Sequence, residues 1–110
     1  MKKKFRLKKN EDFKRLIAIK HYVINDTFVV YNVANDLGYS RFGISVGKKH
    51  GNAVRRNQVK RQIRMMIATT FVFDKSCDYL IMIRKNYHEQ TYAQNLNKLE
   101  QLSTRIENEV

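Results

Sequence analysis

The chain has no proline, one cysteine and no long apolar run. A single thiol, Cys77, closes no internal disulfide and supports no cysteine-based metal site. Its expected role is that of a small buried apolar residue. The apolar runs fall far short of the roughly 20 residues that span a bilayer, and no apolar core follows the basic start as a secretory signal requires. A soluble cytoplasmic protein with no membrane partner is therefore expected. No proline-rich, repeated or low-complexity stretch marks a linker, so residues 1–110 read as one domain. The most informative lack is of acid: between Asp36 and Asp74 stand eight Lys and Arg and no Asp or Glu.

What is present is charge and a modest core. Hydrophobic residues make up 43% of 110, enough for one packed globule. The net charge is +12. It is uneven: residues 1–73 hold 17 Lys and Arg against 4 acids, whereas residues 74–110 hold 5 against 6. Such asymmetry implies a polyanionic partner, nucleic acid or an anionic membrane surface.

Periodicity gives the elements. Residues 1–10 carry six cations and read either as a frayed, solvated tail or as a phosphate-binding arm. Asn10 is the expected N-cap of a short helix over 11–19, with Glu11 and Asp12 where the helix dipole favours acids. Thr27–Val33 reads as a strand, with Val29, Tyr31 and Val33 on one face. Ser40–Gly47 alternates, with Phe42, Ile44 and Val46 on one face and Arg41, Gly43 and Ser45 on the other. The turn chemistry of Asn35–Gly38 between them suggests an antiparallel hairpin. A basic helix follows over Ala53–Thr70. The apolar run Asp78–Arg84 suggests a central strand buried on both faces. Thr91 and Gln94 fit a capping box opening a last helix with Leu96, Leu99, Leu102 and Ile106 in its stripe. The order α-β-β-α-β-α places helices against one small sheet, an α+β fold.

On the basic helix, steps of about 100° gather Val59, Ile63, Met66, Ile67 and Thr70 on one side. Asn57, Lys60, Arg61, Arg64 and Ala68 gather opposite. Arg55 and Arg56 lie in the first turn, where unpaired N–H groups attract anions. Lys48 and Lys49 precede it, between Gly47 and Gly51. A charged face is often only solvated, but one balanced by acids four residues away needs acids, and none is local. A membrane-surface helix needs a free apolar face, and this one is required for the core. The glycine spacing is not that of a P-loop. Nucleic acid is the best-fitting partner. Aromatics such as Phe13 and Tyr31 either stack on unpaired bases of RNA or belong to the core; periodicity leaves both open.

The stretch FGISVGKKHGNAVRRNQVKRQIR (Phe42–Arg64) resembles the signature of the bacterial ribonuclease P protein component. That pattern runs strand, Ser-Lys-Lys, Gly-Asn-Ala-Val, Arg-Asn-Arg, basic helix. RLKKNEDFKRL (Arg6–Leu16) resembles the family's first helix, FVVY (Phe28–Tyr31) its first long strand and DYLIMIRK (Asp78–Lys85) its third. Two departures stand out: the triplet reads Arg56-Asn57-Gln58, with Arg55 one position upstream as a partial substitute, and Asn86 replaces a proline.

The resemblance implies an α/β sandwich with a mixed sheet and a left-handed βαβ crossover through the basic helix, a hand that general rules disfavour. It implies a subunit of an endoribonuclease whose catalytic element is RNA. That RNA holds the Mg2+ and cleaves precursor tRNA to give the mature 5′ end, and no obligate protein partner is implied. It implies that Phe13, Ile17 and Tyr31 line a cleft for the single-stranded 5′ leader. Lys48, Lys49, Arg55, Arg56, Asn57, Lys60, Arg61 and Arg64 would face RNA. The residues themselves agree that the protein is not the catalyst. A protein metallonuclease needs clustered carboxylates, and the acids are spread along the chain, as are His21, His50 and His88. The alternatives are a structural, ribosome-associated RNA-binding protein and a self-sufficient nuclease.

Overall fold

The computed structural model describes residues 1–109; Val110, the last residue of the expected domain, lies outside them. Three helices, α1 (Asn10–Ile19), α2 (Ala53–Thr70) and α3 (Tyr92–Asn108), accompany four strands. The strands are β1 (Tyr22–Ile24), β2 (Phe28–Ala34), β3 (Arg41–Ser45) and β4 (Cys77–Ile83). The sheet order is β1-β2-β4-β3. β2 is antiparallel to both β1 and β4, whereas β3 runs parallel to β4. The mixed α+β sheet expected from the sequence is therefore present, and α2 forms the β3–β4 crossover.

The expected β2–β3 hairpin is not formed. The two strands run in opposite directions, but β4 lies between them. The reason is burial: Tyr79, Leu80 and Ile81 are 3%, 0% and 0% exposed, and only a central position covers a strand that is apolar on both faces. The turn still forms, with Asn35 Oδ1 accepting from the Leu37 N–H at 2.9 Å and Gly38 at φ 81°. β1 is an addition to the sequence reading; three residues are too few for alternation to register. Asn10 is the first helical residue of α1 and not its cap, a role that falls to Lys9 without a side-chain bond. The capping box at Thr91 and Gln94 is formed.

One sheet face packs against α2 and α3. Phe28, Val30, Phe42 and Ile81 meet Val59, Ile63, Met66, Ile67, Leu99 and Leu102 in one cluster. Each fully buried side chain there contributes about 1.5–3 kcal/mol. The opposite face is covered only in part, by Leu16 of α1 and Leu7 of the amino-terminal arm over Leu80. The arm lies against the sheet: the Leu7 N–H donates to Phe42 O at 2.8 Å, and the Phe5 ring meets Phe73 edge-on at 4.8 Å. Cys77 is half-buried, and burial pushes its thiol up.

Asp78 ties these layers together. Its carboxylate, 2% exposed, accepts from Arg15 Nη2 at 2.9 Å, Arg41 Nε at 2.9 Å, Arg41 Nη2 at 2.7 Å and Asn35 Nδ2 at 2.8 Å. Burial alone would raise its pKa, but the bonds from Arg41, Asn35 and Arg15 outweigh burial and hold it below the ordinary range. An acid opening an otherwise apolar run was the sequence signal for such a pair.

Candidate nucleic-acid interface

Local chemistry fixes where α2 begins. Lys48–His50 form a single 3₁₀ turn, and Gly51 follows at φ 130°. A side chain there would be strained, and its Cβ would sit 3.0 Å from Arg55 Cγ. Asn52 then caps the helix, its Oδ1 accepting from the Arg55 N–H at 2.9 Å. No acid lies in the first turn of α2. Lys48 and Lys49 are exposed beside this N-terminus, so fixed cations and unpaired N–H groups share one corner.

Val59, Ile63, Met66 and Ile67 bury the apolar side of α2, as its periodicity predicts, with Thr70 half-buried. Asn57 and Arg61 are exposed, and Lys60 and Arg64 stand half-buried at the rim. None of the ion pairs among the described residues involves a cation of residues 48–64; all are made by Arg15, Arg41 or Lys98. The repulsion along the face is thus left for an outside anion to relieve.

Arg55 departs from this row. Its Nη1 donates to Gln58 Oε1 at 2.9 Å, so its guanidinium lies against the side chain at the position where the resembled pattern has arginine. Arg56 Nε donates to Gly51 O at 3.2 Å, which pins the turn to the helix.

The arm extends the basic surface. Arg6, Lys8 and Asn10 join Lys60, Arg64 and Phe13 around a cleft of about 280 Å3 that no acid lines. Burial, and Arg6 close by, lower the pKa of Arg64. Arg6 Nε is buried without a partner. The sequence reading missed Arg6 and Lys8 as site residues; the bridge from Arg6 to Phe42 brings them in.

Phe13 and Tyr31 are brought together on the open sheet face, both half-buried beside Leu16, Val33 and Met82. Ile17 lies on the same helix, 39% exposed. Gly43 makes this possible: a Cβ on it would stand 2.6 Å from Phe13 Cε1. Tyr22, 46% exposed on β1, sets its ring 5.2 Å from that of Tyr31. It was not foreseen, because β1 was not. The surface is an apolar trough with two neighbouring aromatic rings, bordered by the arm and the basic face of α2. Unpaired bases suit such rings and their phosphates suit the cations.

The histidines, dispersed in sequence, are not all dispersed in space. His50 Nδ1 lies 3.0 Å from His88 Nε2, and Arg55 Nη2 lies 3.3 Å from His88 Nδ1. Among the described residues no group of three His, Cys, Asp or Glu could hold a metal ion, and no helix is long and apolar enough to cross a membrane.

Comparison with known proteins gives a consistent result. The family model described as Ribonuclease P matches residues 1–107. A ribonuclease P protein component of Mesoplasma florum is 44% identical over 108 residues, covering 96% of this chain and 98% of that protein. One from Streptococcus equi subsp. equi is 37% identical, covering 97% and 92%. The solved RNase P protein of Staphylococcus aureus superposes with a TM-score of 0.80 at 36% identity, covering 93% of this chain and 94% of that one. That of Thermotoga maritima superposes at 0.79 and 30% identity, covering 91% and 96%. A further solved structure, at 0.80 and 36%, is a Staphylococcus aureus RNase P protein mutant with defective mRNA degradation activity; the match covers 96% of this chain and 90% of that one.

Proposed function

The chain belongs to the ribonuclease P protein family, and on that premise we propose that it binds the catalytic RNA and the 5′ leader of precursor tRNA and assists removal of that leader in the cytoplasm. The observation that carries the reading is the acid-free basic face of α2 lying beside a half-open aromatic trough. Lys48, Lys49, Arg55, Arg56, Asn57, Lys60, Arg61 and Arg64 take RNA phosphates. Phe13, Ile17 and Tyr31, with Tyr22 beside them, take the unpaired leader. The cations Arg6, Lys8, Lys60 and Arg64 join the two surfaces, so one strand runs from the trough to the helix.

The role is positional and electrostatic. Cations between two RNAs reduce their mutual repulsion and hold the scissile region in place. The donor set on this surface is cationic and does not fit a divalent ion; Mg2+ is assigned to the RNA subunit, where it would activate the attacking water and stabilise the leaving oxygen. The protein discriminates precursor from mature tRNA because only the precursor has a leader to fill the trough. The test is binding of precursor and mature tRNA to the reconstituted complex. Preference for the precursor that disappears without the protein supports the reading; equal preference with and without it refutes the leader role.

A further inference from the structure

We propose that Arg55, His88 and His50 form a further RNA-phosphate contact whose added charge is acquired on binding, so that RNA and a proton are taken up together. This rests on the reading of α2 as an RNA-binding helix. The three side chains come from three elements: His50 from the Lys48–His50 turn, Arg55 from the first turn of α2, and His88 from the Lys85–Glu89 turn after β4. Contacts of 3.0 Å and 3.3 Å join them in a line.

Donor chemistry fixes the protons along that line. A guanidinium can only donate, so His88 Nδ1 must accept from Arg55. The His88 proton then sits on Nε2 and donates to His50 Nδ1. The His50 proton sits on its own Nε2, at the far end of the line. Both rings are neutral in this arrangement, and both are half-exposed, so solvent and a phosphate can reach them.

The surroundings disfavour their charged forms in the free protein. His50 is flanked by Lys48 and Lys49 on its own turn and faces His88; His88 faces Arg55 of α2 and has Lys85 and Glu89 on its own turn, with Tyr87 edge-on at 6.0 Å. Burial first, then His88 and Lys49, lower the pKa of His50. Burial first, then Arg55, lower that of His88, opposed only by Glu89. A phosphodiester at this corner reverses the balance. It offsets Arg55 and Lys49, accepts from His50 Nε2, and favours an imidazolium. A proton gained at His50 Nδ1 opposes the His88 Nε2–H, so the contact between the two rings opens and the His50 imidazolium can turn toward the phosphate. Two imidazoles amid cations with no third ligand are a poor metal site, so the proton is the ligand that the arrangement selects.

The experiment measures affinity of the whole protein for a bacterial ribonuclease P RNA from pH 5.5 to 8.0 at constant ionic strength, with His50→Gln, His88→Gln and the double variant. Calorimetry in buffers of different ionisation enthalpy counts the protons taken up by the unsubstituted protein, which does not depend on how the variants fold. Affinity of the wild-type protein should rise between pH 7.5 and 5.5 by at least about threefold more than that of the double variant, since one linked proton allows at most about tenfold per pH unit. Net proton uptake near pH 6.5 should shrink in the double variant. Parallel pH profiles, or no proton uptake by the wild-type protein, overturn the proposal while leaving RNA binding intact. Absence of binding at every pH overturns the RNA-subunit reading with it.

Discussion

Asp78→Asn tests how the trough is held in place. The substitution keeps the shape of the side chain and removes its charge. Four hydrogen bonds converge on the carboxylate from α1, β3 and the turn after β2. An amide can offer one oxygen to these donors, and its NH2 confronts a guanidinium. Removing one partner of a buried ion pair costs about 3–5 kcal/mol. Arg15 is 42% exposed and can rehydrate, whereas Arg41 at 28% is left more fully stranded, so the low end applies, about 3 kcal/mol. For a domain of this size that lowers Tm by roughly 10–20 °C. Urea unfolding should show the midpoint falling with an unchanged slope. A loss under about 1 kcal/mol would refute the reasoning. The same bonds predict an acid limb. Because the folded pKa of Asp78 is depressed, its contribution is complete above the unfolded value near 3.8 and is lost as pH falls through the lower folded value. In Asp78→Asn that limb should flatten below pH 3.8.

Three further outcomes follow from the same surfaces. Replacing Lys60, Arg61 and Arg64 with Ala should raise the magnesium concentration needed for half-maximal precursor cleavage, and unchanged dependence with an intact circular dichroism spectrum would remove these cations from the account. Phe13→Ala and Tyr31→Ala should each weaken binding of leader-bearing tRNA by about 1–3 kcal/mol in the reconstituted complex and leave mature tRNA nearly unaffected; equal losses for both RNAs would mean the rings serve only the core. Gly43→Ala should displace the Phe13 ring, cost about 1–3 kcal/mol of stability by overpacking, and reduce discrimination between precursor and mature tRNA; a crystal structure with Phe13 unmoved would contradict it.

The helices were legible because their signals are local. The apolar side at Val59, Ile63, Met66 and Ile67 and the capping box at Thr91 lie within a few residues of what they specify. β4 was legible as central because it is apolar on both faces. Its insertion between β2 and β3 has no local signal, because it arrives 32 residues after β3. The site divides in the same way. Spacing alone placed Lys60, Arg61 and Arg64 on one face. Arg6, Tyr22 and the Arg55–His88–His50 line depend on chain segments far apart in sequence meeting in space, which no window of residues reports. Asp78 is intermediate: an acid opening an apolar run needs a partner, but Arg15, Arg41 and Asn35 reach it only through the fold.

The most direct measurement is cleavage of a precursor tRNA at low magnesium by the protein alone, by a bacterial ribonuclease P RNA alone, and by both together. The account predicts cleavage at the mature 5′ end only when both are present. Specific binding without stimulation would contradict it in favour of a structural RNA-binding role, and site-specific cleavage by the protein alone would contradict the division of labour between cationic protein and catalytic RNA.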